Sequence, residues 1–529
     1  MQGAPSGTGR LTVQKKVIIV GGGTAGWTTA AYLAKMLSHG LAGGLNITLV
    51  ESPEIGIIGV GEGTFPSIRK TFSRIELDED SLVREASATF KQGIRFVGWR
   101  GVADKQGNDY YLHPFQTSAQ HSDFDLLPYW LLGVAGDASW ASAGTVQPRV
   151  IDARHAPKQI GHAGHNGPLS YAYHFDAVEL AALLRRRALA LGVRRIEDLV
   201  QEVTVREDGH IQSLTTRAHG DLKADLYIDC TGFRAELIGK ALGVGFRSLR
   251  DQVFANRAVA LQVPYDRPDA PIESQTISTA QECGWTWDIG LTGRRGVGYV
   301  YSTDHISDAR AEQVLRAYAG SAAASVESRV LNFEPGYRQI QWKNNCVAIG
   351  LSAGFVEPLE ATGIGFVEIA ALLVSNLFPW NGDYEVCARQ FNPFMAKRYE
   401  NVADFIKLHY CLTRREDSAF WRDNVRPETV SDGLKERLER WRFRPPSFLD
   451  VDPNHDIFTD ANWQYVLYGL GYKTDLRAQA GAYRYYDEAR AQFAEIRRQG
   501  DNALLSLPTH RGLIEQIRKS GFVRREPIN

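Results

Sequence analysis

Cysteine is scarce, five residues in 529, and Cys230, Cys283, Cys346, Cys387 and Cys411 are odd in number and widely spaced. That excludes a disulfide scaffold and reads as the reduced, buried thiols of a cytoplasmic protein. One-signed charge is missing too: 60 Lys and Arg face 61 Asp and Glu, a formal net charge of -1. Nothing favours nucleic acid or an anionic membrane surface, and Arg185-Arg186-Arg187 reads as the solvated face of a helix. The opening MQGAPSGTGRLTVQKK has no apolar h-region, so residues 1–13 are expected to be a flexible tail and not a signal peptide. The most apolar long run, Gly363 to Trp380, is interrupted by Glu368 and Asn376, which favours a buried helix over a membrane span. His155, His162 and His165 have no cysteine or carboxylate at metal-ligand spacing, so no metal site is expected.

What is present starts at Val17. Val17 to Val20 is an unbroken β-branched run, and the chain then turns through Gly21-Gly22-Gly23-Thr24-Ala25-Gly26 into a helical pattern. In this G-x-G-x-x-G spacing Gly21 allows the tight turn, Gly23 lets backbone approach a pyrophosphate, and Gly26 lets helix pack on strand. A second strand, Ile47 to Val50, ends on Glu51, where an acid that binds ribose hydroxyls is expected. The pattern implies a dinucleotide without choosing between NAD and FAD. It occurs once, so a second nucleotide site is not expected. Residues 56–70 follow, with Gly56, Gly59, Gly61 and Gly63 closely spaced and a helix expected near Pro66; this is either backbone passing close to a flat ligand or a mobile surface loop.

Phe90 to Trp99 alternates like one half-exposed strand with Lys91 and Arg95 on the same face, where a lysine is usually solvated. Residues 109–130 are aromatic and aperiodic, either a loop over a core or the wall of a pocket. Residues 135–167 read as loop, and Tyr171 to Leu191 as helix with a start near Asp176. Leu226 to Cys230 is a further apolar strand that brings Asp229 toward the nucleotide. Trp285 and Trp287 share one face of an extended segment. Val347 to Phe366 holds a strand, a loop with Glu357 and Glu360, and Thr362-Gly363 opening the long apolar helix, whose N–H groups suit an anion. From Tyr384 onward the pattern is helical. The expected class is α/β, with a nucleotide-binding module over 14–383, inserted substrate-site segments at about 109–167, and a mostly helical part over 384–529 covering the site.

In these motifs the sequence resembles the flavin-dependent tryptophan halogenases and their indole-halogenating relatives over nearly its whole length. The resemblance lies in Gly26-Trp27, Gly59-Val60-Gly61-Glu62 with Thr64 and Pro66-Ser67, Phe90-Lys91 with Trp99, and His174-Phe175-Asp176. It continues through Trp285-x-Trp287-x-Ile289, Glu357-Pro358-Leu359-Glu360-x-Thr362-Gly363, His409-Tyr410 and Arg415-Glu416-Asp417. It implies an FAD-binding Rossmann-like (GR2-type) flavoprotein monooxygenase fold with a largely helical substrate-binding cap. It also implies reduced FAD supplied by a separate flavin reductase, chloride or bromide oxidised to hypohalous acid, and transfer of that oxidant through a tunnel to an electron-rich arene. Lys91 would hold the oxidant as an ammonium or a haloamine, and Glu360 would orient it and take the proton lost from the arene. Flavin contacts would come from Gly21, Gly23, Thr24, Ala25, Gly26, Glu51, Gly61, Glu62, Gly63, Thr64, Asp229, Gly350, Gly363 and Ile364, and the halide would sit at Thr362 and Gly363. Around the substrate the resemblance places His113, Pro114, Phe115, Trp285, Trp287, Glu357 and Phe458, with His113 and Phe115 sandwiching an indole ring. The chain departs from the family at Gly290, which replaces a proline closing the Trp-x-Trp motif, and in a short 445–462 segment without a tyrosine pair. Indole or a 3-substituted indole is therefore expected over free tryptophan, and a homodimer is compatible with the pattern. A flavin-dependent aromatic hydroxylase and a non-halogenating indole-binding flavoprotein are the alternatives.

Overall fold

The computed structural model describes residues 14–41, 44–56, 61–104, 107–119 and 121–522; the expected tail at 1–13 and the Gly59-Val60 pair lie outside them. The first strand, Lys15–Val20, is central in a six-stranded sheet, parallel to Leu45–Glu51 on one side and to Leu226–Asp229 on the other. Its apolar run follows from that position, because a central parallel strand is covered on both faces. The helix Thr24–Met36 leaves it through the glycine turn and packs against the apolar helix Thr362–Asn376. Gly21 has φ +115°, and a Cβ there would fall 2.2 Å from the Cys230 carbonyl oxygen. At Gly26 a Cβ would fall 1.8 Å from the Gly21 oxygen, so both glycines are demanded by the turn itself.

A seven-stranded sheet carries Gly93–Val97, Thr276–Gln281 and Gly284–Gly290 as neighbours. A small third sheet joins it to the nucleotide module. There Ala172–Asp176 lies between Gly61–Gly63 and Thr89–Lys91, and His174 is the register partner of both Gly63 and Thr89.

Several expectations are corrected. Phe90 to Trp99 is two strands in two sheets, because the chain breaks at Gln92, whose N–H donates to Ser274 and whose carbonyl accepts from Phe115. Lys91 is consequently fully buried, not half-exposed beside Arg95. Tyr171 to Leu191 opens with the strand Ala172–Asp176; the helix Ala177–Ala190 starts at Asp176, as expected, where its carboxylate caps the N–H groups of Val178 and Glu179. The aromatic stretch before that cap is claimed by two strand partners, and this tertiary pairing overrides the local pattern. Residues 135–167 contain the short helices Trp140–Gly144 and Gln147–Asp152, and 109–130 contain the strand Tyr110–Pro114.

Among the described residues one stretch, Leu359–Asn376, is apolar and long enough to cross a membrane, but it is mostly buried inside the fold. Its Glu368 accepts hydrogen bonds from Thr71 Oγ1 (2.5 Å) and Ser67 Oγ (3.0 Å), and burial pushes its carboxyl up to about 7. After Tyr384 the chain is dominated by helices. Asp460–Gly469 packs on the strand Tyr110–Pro114. In His510–Ser520, the ring of His510 accepts the Phe90 N–H at 3.0 Å, which pins the strand that ends on Lys91.

Candidate active site

One cavity of about 1130 Å³ runs from the glycine turn to Lys91 and Glu360. It exceeds the roughly 300–1,000 Å³ of ordinary small-molecule pockets, as a dinucleotide requires. Gly21 to Ala25, Glu51, Gly61 to Gly63, Gly350, Gly363 and Ile364 line it. A Cβ on Gly23 would meet nothing within 4 Å, so this glycine faces open space where backbone and phosphate would meet. These features fit FAD. Glu51 accepts from Trp27 Nε1 (3.2 Å) and pairs with Arg195, and burial, then Asp176, push Glu62 up to about 7.

Three expected flavin contacts do not line the cavity. Gly26 packs on Gly21, as described. Thr64 Oγ1 donates to the Tyr173 carbonyl (2.9 Å) and accepts its N–H (3.1 Å), fastening two strands. Asp229 is spent on backbone: it accepts from the N–H groups of Thr231, Leu237 and Ile238 and from Thr231 Oγ1.

At the far end, Lys91 Nζ has no hydrogen-bond partner, and burial lowers its pKa to about 7 against the field of Glu360, which raises it. A Cβ on Gly63 would lie 3.1 Å from that nitrogen, so the glycine-rich segment reaches the lysine itself. Glu360 and Ala361 are consecutive non-glycine residues in left-handed conformation, φ 67° and 55°. Such strain costs about 1–3 kcal/mol per residue and concentrates where function needs it. It falls immediately before the helix Thr362–Asn376, at a residue that lines the cavity. No side chain caps that helix, so the N–H groups at Thr362 and Gly363 are available to an anion.

Glu360 is held from behind. His113 Nδ1 lies 2.9 Å from Oε1 and 2.8 Å from Oε2, and His409 Nε2 lies 3.2 Å from Oε1. Burial alone would raise this carboxyl, but His113 and then His409 outweigh it and hold it below the usual carboxylate range. Asn462 fixes the proton on His113. Its Oδ1 accepts the Thr459 N–H at 2.7 Å, so its Nδ2 donates to His113 Nε2, also at 2.7 Å, and the ring must donate through Nδ1 to Glu360. Tyr111 OH engages His409 Nδ1 at 2.7 Å. Sequence reading missed Tyr111, His409 and Asn462 as site residues; the His409-Tyr410 motif was their one signal.

The expected substrate residues fall into two groups. Phe115 lies 5.2 Å from Lys91 Nζ, and Phe65 joins it to Phe458, each pair of ring centroids 5.3 Å apart. His113 and Phe115 stand at 84°, edge to face, so no planar ring lies parallel to both. Trp285 and Trp287 line the main cavity, and no ring contact among the described residues joins them to His113, Phe115 or Phe458. Glu357 does not line the cavity. It accepts from Tyr410 OH at 2.9 Å, and burial pushes it up to about 8, so it is protonated near neutrality.

Replacing His113 by Phe should let burial raise Glu360. Halogenation by that variant is expected to gain an acid limb, falling as pH drops from 7 to 5, where the parent does not fall; product assays across that range check it.

The tryptophan halogenase family description matches residues 16–483. The tryptophan 6-halogenase SttH of Streptomyces toxytricini is 39% identical over 477 residues, 86% of this chain and 89% of that protein. The crystal structure of a tryptophan halogenase from Shewanella frigidimarina superposes with TM-score 0.91 at 38% identity, covering 97% of this chain and 99% of the other. The flavin-dependent halogenase BrvH from Brevundimonas gives TM-score 0.84 at 33% identity, covering 95% and 99%. These likenesses support the halogenase reading and not the hydroxylase or non-halogenating alternatives. The α/β architecture agrees with them, and the chain belongs to the tryptophan halogenase family of flavin-dependent halogenases.

Proposed function

We propose that this enzyme halogenates indole or a 3-substituted indole larger than tryptophan, using Lys91 and Glu360 as an acid and base pair. The observation that carries this reading is the unpartnered Lys91 nitrogen on the same cavity as the low-pKa Glu360 and the glycine cradle. Bound FAD, reduced by a separate flavin reductase, supplies hypohalous acid from oxygen and chloride or bromide. The chain's residues do the rest. Gly21 to Ala25 and Gly61 to Gly63 seat the cofactor, and the N–H groups of Thr362 and Gly363 seat the halide.

In the transfer, the arene carbon bonds to the halogen of HO–X while the O–X bond breaks. The Lys91 ammonium gives a proton to the departing oxygen, making water, and the Glu360 carboxylate takes the proton from the arene carbon. With Lys91 near 7 and Glu360 held below the usual carboxylate range, return of that proton from Glu360 to Lys91 is favoured, so the pair ends as it began. A carboxylate this weakly basic is sufficient because a halogenated arenium ion is a strong acid.

The ring cluster of Phe65, Phe115 and Phe458 beside Lys91 supports a flat apolar substrate, since aromatic pairs add about 0.5–1.5 kcal/mol beyond burial. Phe115→Ala is expected to weaken arene binding about tenfold, read as a rise in KM for indoles. An unchanged KM would place the arene elsewhere. Action in the cytoplasm and a homodimer belong to the same proposal. The deciding experiment is a mass-spectrometric screen of arenes with FAD, a reductase and either halide, in which no halogenated product from any indole would overturn the reading. Gly23→Val tests the cradle separately. Its side chain has room in the protein but occupies the phosphate position, so a folded variant should lose FAD binding by titration.

A further inference from the structure

Ser278 lies in the strand Thr276–Gln281, between its register partners Phe96 and Trp287. It is fully buried, it lines the main cavity, and its Oγ has no hydrogen-bond partner. Native structures leave few buried hydroxyls unpaired, and each one calls for an explanation. Thr276, two residues back on the same face, shows the contrast: its Oγ1 is bound to His174 Nε2 at 2.8 Å. The cavity wall contributed by neighbouring strands is apolar, with Ile94, Ala258, Trp285, Trp287 and Ile289. Ser278 is thus an uncommitted hydroxyl on a wall of the same cavity that holds the unpartnered Lys91 Nζ.

We propose that Ser278 Oγ is a hydrogen-bonding waypoint that holds hypohalous acid in the cavity before it reaches Lys91. This rests on the halogenase reading above. HO–X is small and carries one O–H donor and an acceptor oxygen, and a serine hydroxyl can engage both. Serine offers the oxidant no amine or thioether to consume. Its register neighbour Trp287 is different, because an indole ring is itself a target for electrophilic halogen. A hydroxyl at the paired position of the next strand gives the oxidant a resting place other than the tryptophan.

The test compares the parent, Ser278→Ala and Ser278→Thr, each loaded with FAD and given reductase, bromide and indole. Product per flavin oxidised is the first readout, and peptide mass spectrometry of Trp285 and Trp287 is the second. Ser278→Ala should lower the yield about tenfold, the worth of one hydrogen bond, and raise oxidation or halogenation at the tryptophans. Ser278→Thr, which keeps the hydroxyl, should restore both. If Ser278→Ala keeps the parental yield and unmodified tryptophans, the waypoint is overturned while the halogenase reading stands. If the parent itself halogenates no arene, both are overturned.

Discussion

Lys91→Ala should consume reduced flavin and oxygen as the parent does, yet form no halogenated arene. On the proposed reading the oxidant is made at the flavin and used at the ammonium, so the two halves of the reaction separate by mutation. General acid catalysis is worth about 10²–10⁴-fold, and loss of the lysine also removes the group that holds HO–X, so product should fall below detection. Parallel assays of flavin oxidation and brominated indole decide it: near-parental halogenation would mean a lysine that only fills space. The pH profile adds a second reading. Because the ammonium is the working form and burial brings its pKa to about 7, product per flavin oxidised should decline as pH rises through that value in the parent.

The same burial carries a cost in stability. Between about pH 7 and the lysine's ordinary pKa of 10.5, the unfolded chain binds a proton that the folded one does not, so parental stability rises with pH across that window. Each pKa unit corresponds to about 1.4 kcal/mol. Lys91→Met, which keeps the volume and removes the charge, is therefore expected to melt above the parent at pH 6, with the gap narrowing toward pH 10. Thermal melts at the two pH values check the sign. A variant more stable and yet inactive is what a functional charge buried against its own interest predicts.

The nucleotide turn was legible because it is local. Gly21 and Gly26 act through contacts within a few residues or with the adjoining strand, Gly23 faces open space beside them, and the spacing alone announces all three. Lys91 was not legible from its own stretch, since its burial depends on the break at Gln92, on the Ala172–Asp176 strand and on His510 some four hundred residues away. Only the resemblance pointed to it. Asp229 and Thr64 failed in the opposite direction. Both stand where a ligand contact is expected, but backbone groups of neighbouring segments had already claimed their oxygens. Asn462 was invisible because its role depends on which end of its amide faces His113, and that is settled by Thr459 three residues away on a helix cap.

Glu360→Gln should slow halogenation by about 10²–10³-fold while flavin oxidation continues, because the amide keeps the shape but cannot take the arene's proton. Size alone does not distinguish a lost base from a lost brace, since His113 and His409 also lean on this side chain. The comparison with Glu360→Asp does, and the coupling to Lys91 reports the lost charge beside it. The Glu360 carboxylate is what raises the lysine's pKa against burial, so neutralising it must lower that pKa further. The residual activity of Glu360→Gln should therefore decline at a lower pH than that of the parent. Glu360→Asp, which retains charge on a shorter stem, should lose rate with the decline near the parental pH. A glutamate that merely braced its loop would give the reverse order of rates: Gln near parental and Asp impaired. Rates of brominated indole formation from pH 5 to 9 in the three proteins separate these outcomes.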